Sequence, residues 1–399
     1  MLKIGLIREG KTPPDNRVAL TPAQCKWIHQ HTDRYRIFAQ ASPSRCYSDR
    51  EYIQAGVEVT ENISHCDILL GIKEVPTQHL IPNKTYLFFS HTKKAQPHNR
   101  PLMKELIRIN TTLIDYECLT HEDGQRIIGF GFFAGIVGAH NGMMCYGERT
   151  GSFHLGRVKD VRDYRQLIHT YFGLKIPPVK IAVTGSGRVA HGILEVMNLL
   201  GINEVEPFDY LHKTYTYPVY VHLKGRDLYS RKEDHTYNRV DFHEHPEKYQ
   251  CVFSPFVQQT DILMNGVYWD KNVPPLFAIE DFQSDSFRIQ TIADITNDEG
   301  GSVPVNLGDS TIADPVYGVD KKTLLKTAPY LPGSVDLMAI GNLPNELPRD
   351  ASRYFGEQLI KYILEELDQP DSALIQRAKI LEKGKLTENF LYLSDYATG

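Results

Sequence analysis

The stretch "PPVKIAVTGSGRVAHGILEVMNLLGINEVEPFDYL", residues 177–211, decides the fold. Pro177 and Pro178 lead into an apolar run, Val179 to Val183, that reads as a buried strand. Gly185, Gly187 and Ala190 follow in the pattern G-x-G-x-x-A and open a helix, "RVAHGILEVMNLLG". A second, short strand is expected to end at Asp209, nineteen residues beyond Ala190. Each small residue has a physical task in such a turn. Gly185 permits the tight bend, Gly187 lets the backbone come close to a pyrophosphate, and Ala190 lets helix and strand pack closely. The helix start adds free N–H groups and a partial positive charge. Dinucleotide contacts are therefore expected at Gly185, Ser186, Gly187, Arg188 and Val189. Asp209, at the end of the second strand, is placed to bond both hydroxyls of an adenosine ribose and to repel a 2′-phosphate, which favours NAD over NADP. His212 and Lys213 lie just beyond and are placed to reverse that preference, so both cofactors stay open.

Working outward, the first third of the chain alternates strand and helix. "KIGLIRE" and "YRIFAQ" read as strands. "TPAQCKWIHQHT" reads as a helix capped by Thr21 with Pro22 in its first position, and "YSDREYIQAG" as a helix ended by Gly56. "DILLGIKEVP" and "LFFSHTKKAQ" supply two more strands, "PLMKELIRIN" a helix, and "TTLIDYECL" and "QRIIGFG" a further strand pair. Such alternation argues for α/β layers on a parallel sheet. In "FFAGIVGAHNGMMCYGERTG" the small residues Ala134, Gly135, Gly138, Ala139 and Gly142 recur at helical spacing. They predict a helix packed closely on another element as it passes from one domain to the next. Residues 211–249 read as loop-heavy, strands return in "TDILMNGVYW" and "FRIQTIADI", and "LPRDASRYFGEQLIKYILEEL" reads as an amphipathic helix. Beyond it, "ALIQRAKILEKGKL" is expected to be helical and to dock on the first domain.

The charged side chains of the first domain sit where apolar strands end. Lys73 and Glu74 follow "DILLGI", and His91 follows "LFFS", with Lys93 and Lys94 beyond it. Glu117 and Arg126 fall in the next two segments, and Arg17 stands just before the first helix, where a guanidinium grips carboxylates well. Buried strand ends that deliver Lys, His, Glu and Arg need partners, and that concentration marks a candidate site.

Bulk composition bounds the partners. A chain of 399 residues with 41% hydrophobic and 23% charged content reads as an ordinary globular protein of two or three domains. A net charge of −5 gives no reason to expect nucleic acid or an anionic membrane. No apolar run approaches a membrane span, and "MLKIGLIREG" enters a strand without a signal-peptide core. The six scattered cysteines include no C-x-x-C pair, which fits reduced thiols in a cytoplasm. The His pairs in "IHQHTD" and "FHEHPEK" lack a third ligand nearby, so no metal site is expected.

A resemblance now enters through specific residues. "NISHCDILLGIKEVP", "TYLFFSHTKKAQ", "LIDYECL", "GQRIIGFGFFAGIVG" and "VTGSGRVAHG" resemble the lysine–2-oxoglutarate reductase half of the bifunctional lysine-breakdown enzymes of animals and plants. "PEKYQCVFSPFVQQTDILMNGVYWDKNVPPL", "ITNDEGGSV" and "GNLPNELPRDAS" do so too. More distantly the chain is similar to the fungal lysine-forming saccharopine dehydrogenases and to alanine dehydrogenases, in order from residue 1 to about 366. The resemblance implies two Rossmann-like α/β domains with a cleft between them: 1–135 rejoined by 335–399 for substrate, and 136–334 for NAD or NADP. It implies an NAD(P)-dependent oxidoreductase of amino-acid metabolism that joins L-lysine to 2-oxoglutarate or runs the reverse. Lys73 and His91 then match an acid–base pair, Glu74 and Glu117 carboxylates that tune it, and Arg17 and Arg126 carboxylate-binding positions. Asp294 matches an acid close to the nicotinamide. Asn342 and Leu343 stand in a cofactor-side loop where relatives more often carry Asp-Asn. Val189 replaces a Cys of the fungal loop, so no redox disulfide is expected there. The bifunctional relatives continue into a second catalytic half, and this sequence stops. The competing readings are an alanine or other opine-type dehydrogenase, and a non-catalytic nucleotide-binding module of transhydrogenase type. The expected partners are small molecules, an amino acid and a 2-oxo acid; oligomeric state is open.

Overall fold

The computed structural model describes residues 1–369 and 371–398. The chain divides into two compact units, Met1–Phe130 with Pro348–Gly399, and Gly131–Leu347. In the first, β1 (Leu2–Leu6), β2 (Tyr35–Gln40), β3 (Glu58–Thr60), β4 (Ile68–Leu70), β5 (Thr85–Phe88) and β6 (Thr112–Asp115) run parallel in the spatial order 3-2-1-4-5-6. The strands are apolar almost throughout because both faces are covered; Ile4, Ile37, Leu87 and Leu113 are fully buried. The order reverses between β1 and β4. Open α/β sheets take their ligands outside the carboxyl ends at such a reversal.

The second unit repeats the plan. Its strands are β7 (Lys180–Thr184), β8 (Asn203–Glu204), β9 (Val219–Leu223), a separate antiparallel pair β10 (Tyr229–Arg231) and β11 (Tyr249–Cys251), then β12 (Ile262–Asn265), β13 (Thr291–Asp294), β14 (Val316–Asp320), β15 (Lys326–Thr327) and β16 (Ser334–Met338). The main sheet has the order 8-9-7-12-13-16-14-15, parallel up to β16 and antiparallel at the β14–β15 edge. The reversal lies between β7 and β12, with the glycine-rich turn at the end of β7. Both halves are Rossmann-like α/β sheets, as expected.

Local signals explain the ends of several elements. Thr21 accepts from the Gln24 N–H, and the Gln24 side chain accepts from the Thr21 N–H, closing a reciprocal cap around Pro22. The helix Gly131–Thr150 crosses the helix Arg188–Leu199 at glycines. A Cβ on Gly135 would strike the Val189 carbonyl, and one on Gly192 the Phe132 carbonyl. Gly138 and Gly142 let the same helix settle on Ile295 and Ala293. The predicted small-residue stripe is thus a backbone-to-backbone contact, and the whole helix lies in the second unit.

Three local expectations are corrected. The strand beside β7 is β9, inside the stretch read as loop-heavy; Asp209 ends no strand but lies on the short helix Pro207–His212, whose Pro207 suits a first helical turn. "QRIIGFG" forms no strand, only a single bridge between Arg126 and Thr120 across a turn closed by Gly124. Ile127 and Ile128 are still buried, so the apolar pattern reflects core packing of a loop. In the C-terminal segment the helix stops at Ala378. Residues 379–386 make a hairpin, β17 (Lys379–Glu382) and β18 (Lys385–Leu386), turned by Lys383 and Gly384 at positive φ and added antiparallel to β6. That segment does dock on the first unit, as a sheet edge.

Candidate functional site

In the first unit the reversal point gathers the charges. β1 runs on to Glu9, whose carboxylate accepts the backbone N–H groups of Ile72 and Lys73 at 2.6 and 3.0 Å. It thereby staples the end of β1 to the loop leaving β4. Burial and the nearby Asp15 charge push the Glu9 carboxyl up to about 8. Lys73 follows on that loop. Burial, then the Arg17 charge, lower its ammonium to about 8. Glu74 reaches the other way: one oxygen takes the His91 Nδ1 at 2.7 Å, the other the Lys11 ammonium at 2.8 Å. Burial alone would raise the Glu74 carboxyl, but the bonds from His91 and Lys11 outweigh it and hold it well below the usual range.

His91 sits just past β5 with φ of +51°, a left-handed conformation that few non-glycine residues adopt. The kink turns the imidazole back onto Glu74, with the ring stacked on Phe89. Asp115, at the end of β6, is fully buried and accepts from the backbone and hydroxyl of Ser90, bracing the residue before His91. It also accepts the Glu117 N–H at 2.7 Å.

Arg17 is buried and forked onto Asp15, Nε to Oδ1 at 3.0 Å and NH2 to Oδ2 at 2.6 Å. Its guanidinium lies 4.2 Å over the Phe130 ring. Arg126 is paired with Glu117 at 2.6 Å. Lys73, Glu74, His91 and Arg17 are therefore brought into one electrostatic cluster, while Glu117 and Arg126 form a pair of their own one strand further along. Lys93 and Lys94 are exposed. The sequence reading missed Glu9, Lys11, Asp15 and Asp115. All but Asp115 lie in "REGKTPPDNR", a polar stretch whose only signal was its place directly after a buried strand.

In the second unit the turn after β7 has the features a pyrophosphate needs. Gly185 has φ of +104° and presses on the Gly266 carbonyl, leaving no room for a side chain. A Cβ at Gly187 would meet only open space, and Ser186 and Gly187 are exposed ahead of the helix Arg188–Leu199. Ala190 is fully buried. These residues fit a dinucleotide, with Ser186 to Val189 as the N–H-bearing cradle. Asp294 ends β13, fully buried, and accepts from the side-chain amides of Asn265 and Asn306, both at 2.8 Å. Burial raises its carboxyl above the usual range. Asn265 also accepts from the Thr184 hydroxyl at 2.9 Å, so one network links the ends of β7, β12 and β13. Asn342 precedes a short helical turn that opens at the buried Leu343. Asp209 is ion-paired at 2.7 Å with Lys213, the residue that ends its own helix. Among the described residues no three His, Cys, Asp or Glu side chains form a group that could hold a metal, and no helix is long and apolar enough to cross a membrane.

Residues 5–137 match the family described as alanine dehydrogenase/PNT, N-terminal domain. The chain is 32% identical to the mitochondrial alpha-aminoadipic semialdehyde synthase of Mus musculus, over 98% of its own length and 47% of the relative's. It thus spans about half the length of the first curated relatives it matches. It is 24% identical to the saccharopine dehydrogenase [NAD(+), L-lysine-forming] of Yarrowia lipolytica, over 95% of this chain and 96% of that one. Among solved structures an L-alanine dehydrogenase superposes with a TM-score of 0.67 at 15% identity, covering 99% of this chain and all of the other, which establishes the fold.

Proposed function

We propose that the chain is an NAD(P)-dependent oxidoreductase acting on a CH–NH bond, a lysine-forming saccharopine dehydrogenase. It would join L-lysine reductively to 2-oxoglutarate or run the reverse. The observation that carries this reading is Lys73, Glu74 and His91 held together at the sheet reversal of the first unit, with the Lys73 ammonium near 8. The fungal relative's name, saccharopine dehydrogenase [NAD(+), L-lysine-forming], supports lysine as one member of the pair.

The chemistry asks for two proton carriers. The attacking amine must lose a proton, and the carbinolamine formed on the keto carbon must lose water before an imine can be reduced. Lys73 is neutral often enough near pH 8 to take the amine's proton. Glu74 is acceptor only, so the His91 Nδ1 carries a proton toward it and Nε2 is left to serve the departing hydroxyl. The negative Glu74 also stabilises the imidazolium when it forms. Arg17 and Arg126 receive the keto-acid carboxylates, their forks oriented by Asp15 and Glu117. A nicotinamide dinucleotide, when bound, supplies or takes the hydride. Gly185, Ser186, Gly187, Arg188 and Val189 would hold its pyrophosphate, and Asp294, Asn342 and Leu343 would lie on its nicotinamide side. The first unit is then the substrate domain and the second the cofactor domain. A cytoplasmic location goes with this reading, supported by six free thiols.

The test is reductant oxidation, followed by absorbance, with 2-oxoglutarate and lysine, ornithine, glutamate or ammonia, and with pyruvate in a parallel set. Turnover confined to lysine with 2-oxoglutarate is expected. Turnover confined to pyruvate with ammonia would overturn the assignment in favour of an alanine dehydrogenase.

A further inference from the structure

In the second unit two adjacent residues of the helix Gly131–Thr150 hold two separate loops. His140 binds the Gly156 carbonyl through Nε2 at 2.8 Å, and the Asn141 side-chain amide donates to Glu346 Oε1 at 2.8 Å. The first bond fixes the segment that leads to Arg157. The second fixes the short helical turn Leu343–Glu346, which Asn342 precedes. Asn141 and Glu346 are both buried. Three buried polar atoms of this group meet no protein partner among the described residues: Asn141 Oδ1, Glu346 Oε2 and Arg157 Nε. Arg157 donates from Nη2 to the Ile312 carbonyl, and Nη2 also stands 3.7 Å from Glu346 Oε2, too far for a direct hydrogen bond. Nε–H and Nη2 belong to one rigid guanidinium fork, so the unmet Nε–H faces the same side.

Two oxygens that accept and one N–H that donates are the complement of a single water molecule. It would accept from Arg157 Nε and donate to Glu346 Oε2 and Asn141 Oδ1. Buried waters make about three such bonds, and bridge polar groups held just beyond direct reach. A cation there would meet the guanidinium, and an anion the carboxylate. We infer that Asn141, Arg157 and Glu346 hold one buried water, and that through this junction Glu346 is a positioning residue for Asn342 and Leu343. The inference rests on the dinucleotide reading of this unit, in which that loop lies on the nicotinamide side. Glu346 acts through the loop and not on the reacting atoms. Loosening the junction frees the turn that follows Asn342, while the glycine turn is seated by separate contacts, Gly185 on the Gly266 carbonyl and Gly135 on the Val189 carbonyl.

The experiment joins a high-resolution crystal structure of the full chain to calorimetric titration with NADH, NADPH and ADP-ribose, which lacks the nicotinamide. An ordered water within hydrogen-bonding reach of all three atoms is expected. Glu346→Leu should weaken whichever dinucleotide binds more tightly by roughly 5- to 20-fold and ADP-ribose by less than about twofold. Glu346→Gln, which keeps an acceptor for Asn141, should recover most of that loss. Arg157→Gln, at a partly exposed side chain, carries the same expectation should Glu346→Leu fail to fold. Direct contact between Arg157 and Glu346 with no water overturns the water site. Equal losses for dinucleotide and ADP-ribose, or no loss for either, overturn the positioning role. Failure of all three nucleotides to bind the unaltered chain overturns the dinucleotide reading, and the role of Glu346 with it.

Discussion

Each of the two units reverses its strand order beside its first strand, and they put opposite materials at that point. In the first, the ends of β1 and β4 and the loop after β5 deliver Glu9, Lys73, Glu74 and His91: Glu74 pairs with His91, Glu9 accepts two backbone N–H groups, and the Glu9 carboxyl and Lys73 ammonium are shifted. In the second, the end of β7 delivers glycines, and what it offers is backbone. Similar sheets thus end in a cluster of titratable side chains in one unit and in bare backbone in the other, which the proposed function reads as proton handling and phosphate binding. The difference lies in whether the strand ends carry long titratable side chains or none. Replacing Lys73 breaks that division most sharply. Lys73→Met or His91→Gln is expected to lower kcat/KM by roughly 10²- to 10⁴-fold while nucleotide affinity stays within about twofold. Steady-state kinetics beside nucleotide titration checks both halves. A comparable loss of nucleotide affinity would mean that the first unit's charges are not confined to proton traffic.

The converse change belongs to the second unit. Gly135→Val places a branched side chain against the Val189 carbonyl, where the two helices touch. The crossing must open, at a cost on the order of 2–4 kcal/mol, and the helix that starts at Arg188 must shift. Lower melting temperature together with weaker nucleotide binding is expected from calorimetry and titration. An unchanged melting temperature would show that the crossing is looser than the glycines suggest.

A smaller effect separates function from stability within the first unit. The Lys73 ammonium, lowered by burial and Arg17, sits near 8 in the folded chain against 10.5 for an ordinary lysine. Below pH 8 both states hold the proton, and the folded chain bears the cost of burying the charge. Between pH 8 and 10.5 only the unfolded chain holds it, so this group's contribution to stability rises with pH and levels off above 10.5. Lys73→Met should therefore stabilise the protein at pH 7, by on the order of 2 kcal/mol after discounting for partial exposure, and gain little at pH 10.5. Denaturant melts at the two pH values decide it. A destabilised variant at pH 7 would mean that the ammonium is well paired in the folded state.

The parts legible in the sequence were those whose local chemistry is self-contained. The G-x-G-x-x-A turn needs no distant partner to be read, and Lys73 and His91 announced themselves as titratable groups at the ends of apolar runs. Glu9 and Asp15 were illegible because their roles depend on contacts 63 residues along the chain, from Glu9 to Ile72, or on a fork onto Arg17 within a Pro-rich stretch. β9 was hidden because its Tyr and His residues made the surrounding stretch look polar, yet its core, Val219 to Val221, is buried on both faces. "QRIIGFG" misled in the opposite sense, since burial without sheet pairing leaves the same apolar signature as a strand.

The smallest expected effect bears on the ribose. Asp209 satisfied a spacing rule, but spacing fixes position only when the second strand follows the first helix directly. Here an edge strand and a short helix intervene before the chain returns beside β7, so the residue at the expected distance lands elsewhere. Asp209 is about one-third exposed and paired with Lys213, an arrangement that salt screens and water weakens. Asp209→Asn is therefore expected to change NADH and NADPH affinities by less than about twofold and to leave the melting temperature within roughly a degree. Nucleotide titration at low and moderate salt tests this. A tenfold loss of NADH affinity with NADPH spared would return the ribose to that helix. The pairing of β9 with β7 would then cease to say where the nucleotide's adenosine lies.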